Sequence, residues 1–111
     1  MAKPKKLSSF KAFYPYYLSE HLHPICRGLH YAGSTFVILV ALYAITSNQY
    51  MYFWLLPFIG YGFAWVGHFF IEKNRPATFT YPFYSFLGDW VMFKDFLTGQ
   101  LDKKLKLHNL D

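Results

Sequence analysis

Five histidines are the residues of this chain best suited to metal chemistry, and they lie at positions 21, 23, 30, 68 and 108. Imidazole binds iron, zinc, copper and nickel, and histidines with a carboxylate and open coordination positions are typical of non-haem Fe(II) oxygenases. Glu72 follows His68 by four residues, so an α-helix would place the two on one face. This combination predicts a divalent metal site, provided that the fold brings the residues together.

Other interpretations of these residues stay open at the level of sequence. Histidines near the ends of membrane spans can bond lipid headgroups or backbone carbonyls, and Glu72 can simply pair with a neighbouring basic residue. His23 could be a metal ligand or could lie outside the site. His108 lies in a polar tail and is expected to be solvated.

Three further charged residues could act at such a site. Asp89 stands on an otherwise apolar face and can accept a hydrogen bond from a ligating histidine, although an exposed surface carboxylate is the alternative. From the residues alone, the exposed surface carboxylate is the favoured interpretation of Asp89. Glu72 and Asp89 are the candidate catalytic carboxylates if a metal site forms. Arg27 and Arg75 are predicted to bind the carboxylate of a substrate such as a fatty acid, since a planar guanidinium suits bidentate binding, but each can instead contact lipid phosphate.

The elements that must position these residues are two long stretches without Asp, Glu, Lys or Arg, at 31–47 and 50–71. About 20 helical residues cross a hydrocarbon core of about 30 Å, and Pro24 suits the first turn of a helix. The sequence thus predicts two spanning helices, 24–47 and 49–73, which form a hairpin. A pair of core helices in a soluble protein is the alternative, but little amphipathic sequence remains to cover them.

A hairpin brings two of the histidines to the same depth. With its tip near Asn48, His30 lies eighteen residues before the tip and His68 twenty residues after it. At about 1.5 Å per residue, their depths agree within a few ångströms. The chain before Pro24 brings His21 to the same end, and ionisable residues at membrane depth are functional candidates.

Charge placement predicts the orientation of the hairpin. All eleven Lys and Arg residues lie outside the tip, which places both termini in the cytoplasm by the positive-inside rule. The expected location is the plasma or inner membrane of a bacterium, or the endoplasmic reticulum of a eukaryote. The basic flanks suit anionic lipid, so no nucleic acid partner is predicted. A cleaved signal peptide fits poorly because a second apolar segment follows at once, and the single Cys26 excludes an intramolecular disulfide.

The remaining segments complete a single all-α membrane domain, 1–111. The lysine-rich leader 1–8 is predicted to be disordered, and a short helix capped by Ser8 or Ser9 is expected to lay an aromatic face on the membrane. Residues 82–98 are predicted to form an amphipathic helix at the membrane surface or over the open end of the hairpin. Residues 99–111 are predicted to be a solvated polar tail.

Three runs of sequence resemble a known family: Tyr14-Pro-Tyr-Tyr-Leu-Ser-Glu-His21, Pro24-Ile-Cys-Arg-Gly-Leu-His30-Tyr-Ala-Gly33, and Gly67-His68-Phe-Phe-Ile-Glu72-Lys-Asn-Arg75-Pro-Ala77. They are similar to the Mpo1-like family, small membrane proteins related to fungal 2-hydroxy fatty acid dioxygenase. The resemblance implies an Fe(II)-dependent oxygenase of fatty acid α-oxidation, which uses O₂ to shorten a 2-hydroxy fatty acid by one carbon. It also implies that His21, His30 and His68 are the iron ligands and that Glu72 is a ligand or supports one.

The resulting functional hypothesis is a membrane dioxygenase whose partners are the lipid bilayer, O₂ and a fatty-acid-type substrate. The alternative is a non-catalytic membrane protein that binds lipid headgroups or a partner subunit. The two hypotheses differ in whether the protein binds a metal.

Overall fold

The computed structural model describes residues 7–110, which form helices and turns without any strand. Its α-helices, in chain order, are α1 (Phe10–Ser19), α2 (Pro24–Thr46), α3 (Leu56–Val66), α4 (Pro82–Leu97) and α5 (Leu101–Leu107). A 3₁₀ segment, Tyr50–Leu55, precedes α3 and a π-helical segment, Gly67–Glu72, follows it, so the second span runs without interruption from Tyr50 to Glu72. A short 3₁₀ segment, Ala77–Phe79, leads into α4. The predicted all-α class is confirmed. The predicted leader 1–8 falls mostly outside the described residues.

The two long helices form the predicted hairpin. They are joined through Asn48, which takes the left-handed conformation (φ 57°) that asparagine tolerates better than most residues. Two glycines let the helices approach closely. A Cβ atom on Gly33 would lie 3.0 Å from the Cβ of Phe63, and one on Gly67 would lie 2.9 Å from the Sγ of Cys26. A larger residue at either position would force the helices apart. Small residues are common at helix contacts in membranes because they allow this close approach.

Both long helices suit a bilayer. Each has 23 residues, with mean hydropathy of 1.6 for Pro24–Thr46 and 1.4 for Tyr50–Glu72. Only 17% of each apolar window is buried within the protein, so large side chains such as Leu39, Phe58 and Phe70 face outward. A core helix of a soluble protein would be mostly buried. These two candidate spans support a membrane protein.

The helices outside the hairpin pack on one another rather than lying apart on a membrane. The hydroxyl of Ser9 caps α1 by accepting a hydrogen bond from the N–H of Ala12 at 3.2 Å. The aromatic face of α1 was expected to rest on lipid, but it is buried against α4 and α5. The buried residues of this cluster are Phe13, Tyr14, Tyr17, Leu18, Ala77, Met92, Leu101 and Leu105.

Residues 99–111 were predicted to be a solvated polar tail. The described residues 99–110 instead contain a helix, Leu101–Leu107. Gly99 turns the chain with a φ of 75°, which glycine adopts without strain. Leu101 and Leu105 are four residues apart, so they share one helical face, and both are buried in the cluster with α1 and α4. The apolar side of α5 therefore belongs to the core, while its charged side faces water.

Asp95 ties the three flanking helices together. It is fully buried on α4, accepts a hydrogen bond of 2.7 Å from the Tyr14 hydroxyl of α1, and accepts another of 2.7 Å from the Lys104 ammonium of α5. The Lys94 ammonium lies 3.0 Å from its second oxygen. Burial alone would raise the pKa of Asp95, but the hydrogen bonds from Lys104, Tyr14 and Lys94 outweigh it and lower the pKa below its usual value.

Asp95→Ala is expected to destabilise the protein by about 2–3 kcal/mol, because it leaves the Tyr14 hydroxyl and a partly buried ammonium without their acceptor. Since the folded pKa is depressed, the unfolded state binds more protons over the interval between the two pKa values. The stability that Asp95 contributes is therefore present above about pH 4 and is lost as the pH falls through the folded value. Thermal unfolding in detergent between pH 7 and pH 3 measures both effects.

The exposed Asp102 of α5 provides the matched control. Asp95→Asn should flatten the wild-type pH profile below pH 4, and Asp102→Asn shows what the loss of an exposed carboxylate does by itself. Parallel profiles for Asp95→Asn and the wild type would contradict the assigned role of Asp95.

Candidate metal centre

Three histidines from three segments meet at one end of the hairpin. His21 follows α1, His30 lies in the second turn of α2, and His68 is the second residue of the π-helical segment of the second span. All three are buried, with 1%, 5% and 2% of their surfaces exposed. Their ring centroids lie 4.4–5.0 Å apart and the ring planes are nearly perpendicular, at 79–87°. One nitrogen from each ring lies within 4.8 Å of the others, and such a group could hold a metal ion.

Backbone carbonyls fix the orientation of two of these rings. The Nδ1 of His21 lies 2.6 Å from the carbonyl oxygen of Tyr17, and the Nδ1 of His30 lies 2.8 Å from that of Cys26. A carbonyl oxygen can only accept, so each Nδ1 must carry the hydrogen and donate it. Each Nε2 then carries no hydrogen and has a free lone pair, which is the form that binds a metal.

Asn74 orients the third ring. Its Oδ1 lies 2.8 Å from the Nδ1 of His68. Its Nδ2 donates to the backbone oxygen of Glu20 at 3.0 Å and to the carboxylate of Glu20 at 2.9 Å. Because Glu20 offers only acceptors there, the amide must point its oxygen at His68, which then donates from Nδ1 and leaves Nε2 free.

Sequence reasoning did not single out Asn74, although it follows His68 by six residues. The turn decides its position. Lys73 takes the left-handed conformation (φ 57°), and the N–H of Asn74 donates to the carbonyl oxygen of His68 at 2.9 Å. The side chain of Asn74 is thereby folded back toward the His68 ring.

The three free nitrogens fit a cation. The Nε2 atoms of His21 and His30 are 3.1 Å apart, yet neither carries a hydrogen in the neutral form, so two buried acceptors face each other. Such an arrangement is repulsive unless a positive species lies between them. The separation suits two nitrogens that each stand about 2.0–2.1 Å from a shared metal ion. Burial and the neighbouring His30 and His68 lower the pKa of His21 well below its usual value, so the ring is neutral at pH 7.

Asp89 acts on the site through Tyr17. The hydroxyl of Tyr17 donates to the carboxylate of Asp89, and the ring of Tyr17 stacks on His21 with a centroid distance of 4.1 Å. Burial raises the pKa of Asp89 to about 6, while burial together with Asp89 raises the pKa of Tyr17 well above its usual value. Gly88 permits this contact, since a Cβ there would lie 2.9 Å from the Tyr17 ring. Asp89 therefore supports His21 indirectly and also borders the site.

The structure does not bring Glu72 to the three histidines. Its carboxylate accepts a hydrogen bond from the backbone N–H of His23, at the start of α2. The expected pairing with His68 does not form, although Glu72 ends the π-helical segment Gly67–Glu72 that contains His68. His23 also stays outside the cluster, where its Nδ1 caps α2 by accepting from the N–H of Ile25 at 3.1 Å.

The two arginines lie near the site in different ways. Arg27 donates to the backbone oxygens of His21 and Leu22, at 2.8 and 2.9 Å, and so holds the loop that carries the first histidine. Arg75 is exposed, and its guanidinium lies 4.8 Å from the centre of the Phe79 ring, beside an open surface depression. Neither borders the cavities at the histidines.

A small cavity of about 10 Å³ adjoins all three histidines, and Asp89 and Ser85 also line it. This is about the room that one water molecule needs. Ser85 is 3% exposed, and its hydroxyl has no hydrogen-bond partner among the described residues. A buried hydroxyl without a partner costs free energy, so its position beside the histidines favours a bound polar group.

A larger apolar cavity of about 340 Å³ continues from the same place between α2, α3 and α4. His30, Tyr61, Ala64, Thr78 and Asp89 line both cavities. The far end is apolar, with Val37, Leu56, Pro57, Gly60, Phe86 and Trp90 in its wall. Its volume is at the lower end of the range for small-molecule pockets, about 300–1,000 Å³. The site therefore combines a polar, metal-binding end with an apolar end.

Comparisons with known proteins place the chain in a family. No curated protein and no solved structure matches the chain significantly. A family model described as "2-hydroxy-palmitic acid dioxygenase Mpo1-like" matches residues 7–101, which is most of the chain and includes all three clustered histidines. The chain therefore belongs to the Mpo1-like family.

Proposed function

We propose that the protein is an Fe(II)-dependent membrane dioxygenase that shortens 2-hydroxy fatty acids by one carbon. One observation carries the proposal: three buried imidazoles, each with its Nδ1 hydrogen committed to an oxygen, bring one nitrogen each within 4.8 Å of the others beside an apolar cavity. The family match supports the substrate class, because the family is named for a 2-hydroxy-palmitic acid dioxygenase.

The ligands in this proposal are His21, His30 and His68. Three protein ligands leave coordination positions open, and bound Fe(II) would supply the O₂ chemistry there. The protein's own contribution is to hold the three rings rigidly and to exclude water. Asn74 and the carbonyl oxygens of Tyr17 and Cys26 keep the Nε2 atoms directed at the centre.

The substrate would lie with its polar end at the histidines and its hydrocarbon tail in the apolar cavity. The unpartnered hydroxyl of Ser85 can donate to the carboxylate or the 2-hydroxyl group. Asp89, with a pKa raised to about 6, can accept the proton of the 2-hydroxyl group. Arg75 is the candidate for attracting the carboxylate from the membrane surface, while Arg27 holds the loop of His21.

The overall reaction needs no external reductant. A 2-hydroxy acid and one O₂ give a fatty acid one carbon shorter, one CO₂ and one water, and all atoms balance. The four electrons that reduce O₂ come from the substrate. Only iron, substrate and O₂ are therefore required in an assay.

The orientation in the membrane is also part of the proposal. All basic residues lie outside the tip of the hairpin, so both termini and the metal centre would lie at the cytoplasmic face. A water-soluble metal could then reach the histidines, and the acyl chain could enter from the bilayer.

Purified protein, loaded with Fe(II) under anaerobic conditions and then supplied with 2-hydroxypalmitate and O₂, tests the proposal. We expect pentadecanoate as the product by mass spectrometry, with one O₂ consumed per product molecule and no added reductant. Palmitate, which lacks the 2-hydroxyl group, should not react and serves as the control.

Two different failures are informative. If iron-loaded protein yields no shortened acid from 2-hydroxy acids of any chain length, the assigned reaction is wrong although the metal site stands. If the protein binds no iron but does bind anionic lipid, the non-catalytic alternative is correct, with the exposed Lys73 and Arg75 as its contact residues.

A further inference from the structure

The apolar cavity has a measurable length along α3. Its polar end lies at the level of His30 and Asp89, and its far end is formed by Leu56 and Pro57. Eleven residues separate Pro57 from His68, which corresponds to about 16 Å of helix. Carbon–carbon bonds of about 1.5 Å advance an extended chain by about 1.3 Å per carbon. The cavity can therefore take roughly 12 carbons beyond the histidines.

Gly60 stands in the wall of this cavity, eight residues from His68. The glycine is not required for helix packing. A Cβ atom there would meet only Val37, whose Cγ2 would be 3.8 Å away, an ordinary van der Waals distance. Gly33 and Gly67 differ, because their Cβ atoms would clash with the opposite helix. Because Gly60 has no side chain, the cavity stays open at this position.

We infer that Gly60 sets the length of the hydrocarbon tail that the site admits. The inference rests on the proposed function, because it assumes that the polar end of the ligand lies at the histidines. The level of Gly60 is about 12 Å from His68 along the helix, or roughly nine carbons. A side chain at position 60 would block the tail beyond that point and leave shorter acids unaffected.

The chain offers a matched control two residues away. Gly62 lies on the same helix, is exposed, and has nothing within 4 Å of the position of its Cβ. Gly62 is also absent from the cavity wall. Gly60→Leu and Gly62→Leu thus make the same chemical change on the same helix, one into the cavity and one away from it.

The test measures binding rather than turnover. Iron-loaded protein in lipid nanodiscs is kept anaerobic and titrated with saturated 2-hydroxy acids of 8 to 18 carbons that carry bromine on the last carbon. Trp90 lines the cavity, so bromine within it quenches the fluorescence of Trp90. Trp54→Phe and Trp65→Phe remove the other two tryptophans from the signal.

In the parent protein, affinity should rise about fourfold per methylene until the cavity is filled. In Gly60→Leu the rise should stop near ten carbons, and the 16-carbon acid should bind at least about 10-fold more weakly than in the parent. Gly62→Leu should match the parent at every length.

A uniform change at all chain lengths in Gly60→Leu, or the same truncation in Gly62→Leu, would overturn the inference. Binding that does not depend on chain length in the parent would do so as well. Because no O₂ is present, failure of the proposed reaction has a separate signature. In that case the chain-length shift is observed, but no shortened acid forms when O₂ is admitted.

Discussion

Replacement of His30 by alanine is expected to lower the iron content of anaerobically loaded protein from about one ion per chain to less than about a tenth of that. His30 supplies a free Nε2 only 3.1 Å from that of His21, so its removal leaves two ligands for a site built for three. Iron is measured per chain after removal of free metal. His68→Ala should have the same effect.

Two further variants keep this result interpretable. His108 is exposed at the end of α5, and His108→Ala should retain full iron content. His30→Gln retains a polar side chain in the buried position and guards against a folding defect. Normal iron content in a folded His30 variant would rule out the three-histidine centre.

Asn74→Ala is expected to weaken Fe(II) binding by about 10- to 100-fold, the usual cost of removing a partner behind a metal ligand. The substitution removes the acceptor of the His68 Nδ1 hydrogen, so the ring can turn or change tautomer and withdraw Nε2 from the centre. Competition with a chelator of known affinity measures the change under anaerobic conditions.

Glu20→Gln provides the matched comparison, since its amide oxygen can still accept from the Nδ2 of Asn74 and keep Oδ1 turned toward His68. We expect near-normal iron affinity in this variant. Thermal stability of the metal-free protein separates a structural role of Asn74 from a role in orienting the metal ligand His68. A large loss of stability without loss of affinity would show that Asn74 is structural only.

The candidate site was predictable to the extent that helix geometry is local. Backbone hydrogen bonds within a helix set its rise per residue, so counting from the tip near Asn48 was enough to place His30 and His68 at one depth. The same counting could not tell whether the rings face each other, because that depends on how the two helices are rotated. The close approach at Gly67 and Cys26 decides that rotation.

The partners of the site were less accessible to sequence reasoning. Glu72 was chosen by helical spacing, but its carboxylate accepts a hydrogen bond from the backbone N–H of His23. Asn74 was missed because only the left-handed turn at Lys73 brings it back to His68. The first outcome depends on a contact with a distant segment and the second on a local backbone turn, and composition and periodicity reveal neither.

The sequence by itself determined that this is an all-α chain with two helices long and apolar enough to cross a bilayer. The length and the apolar composition of a helix are properties of its own segment. It also determined which histidines share a depth. Only the tertiary structure decided that Asp95, Leu101 and Leu105 are buried, that three imidazoles come close enough together to hold a metal ion, and that an apolar cavity continues from them. The physical reason is that these features arise from contacts between segments far apart in the chain. The position and rotation of each helix depend on the helices packed against it.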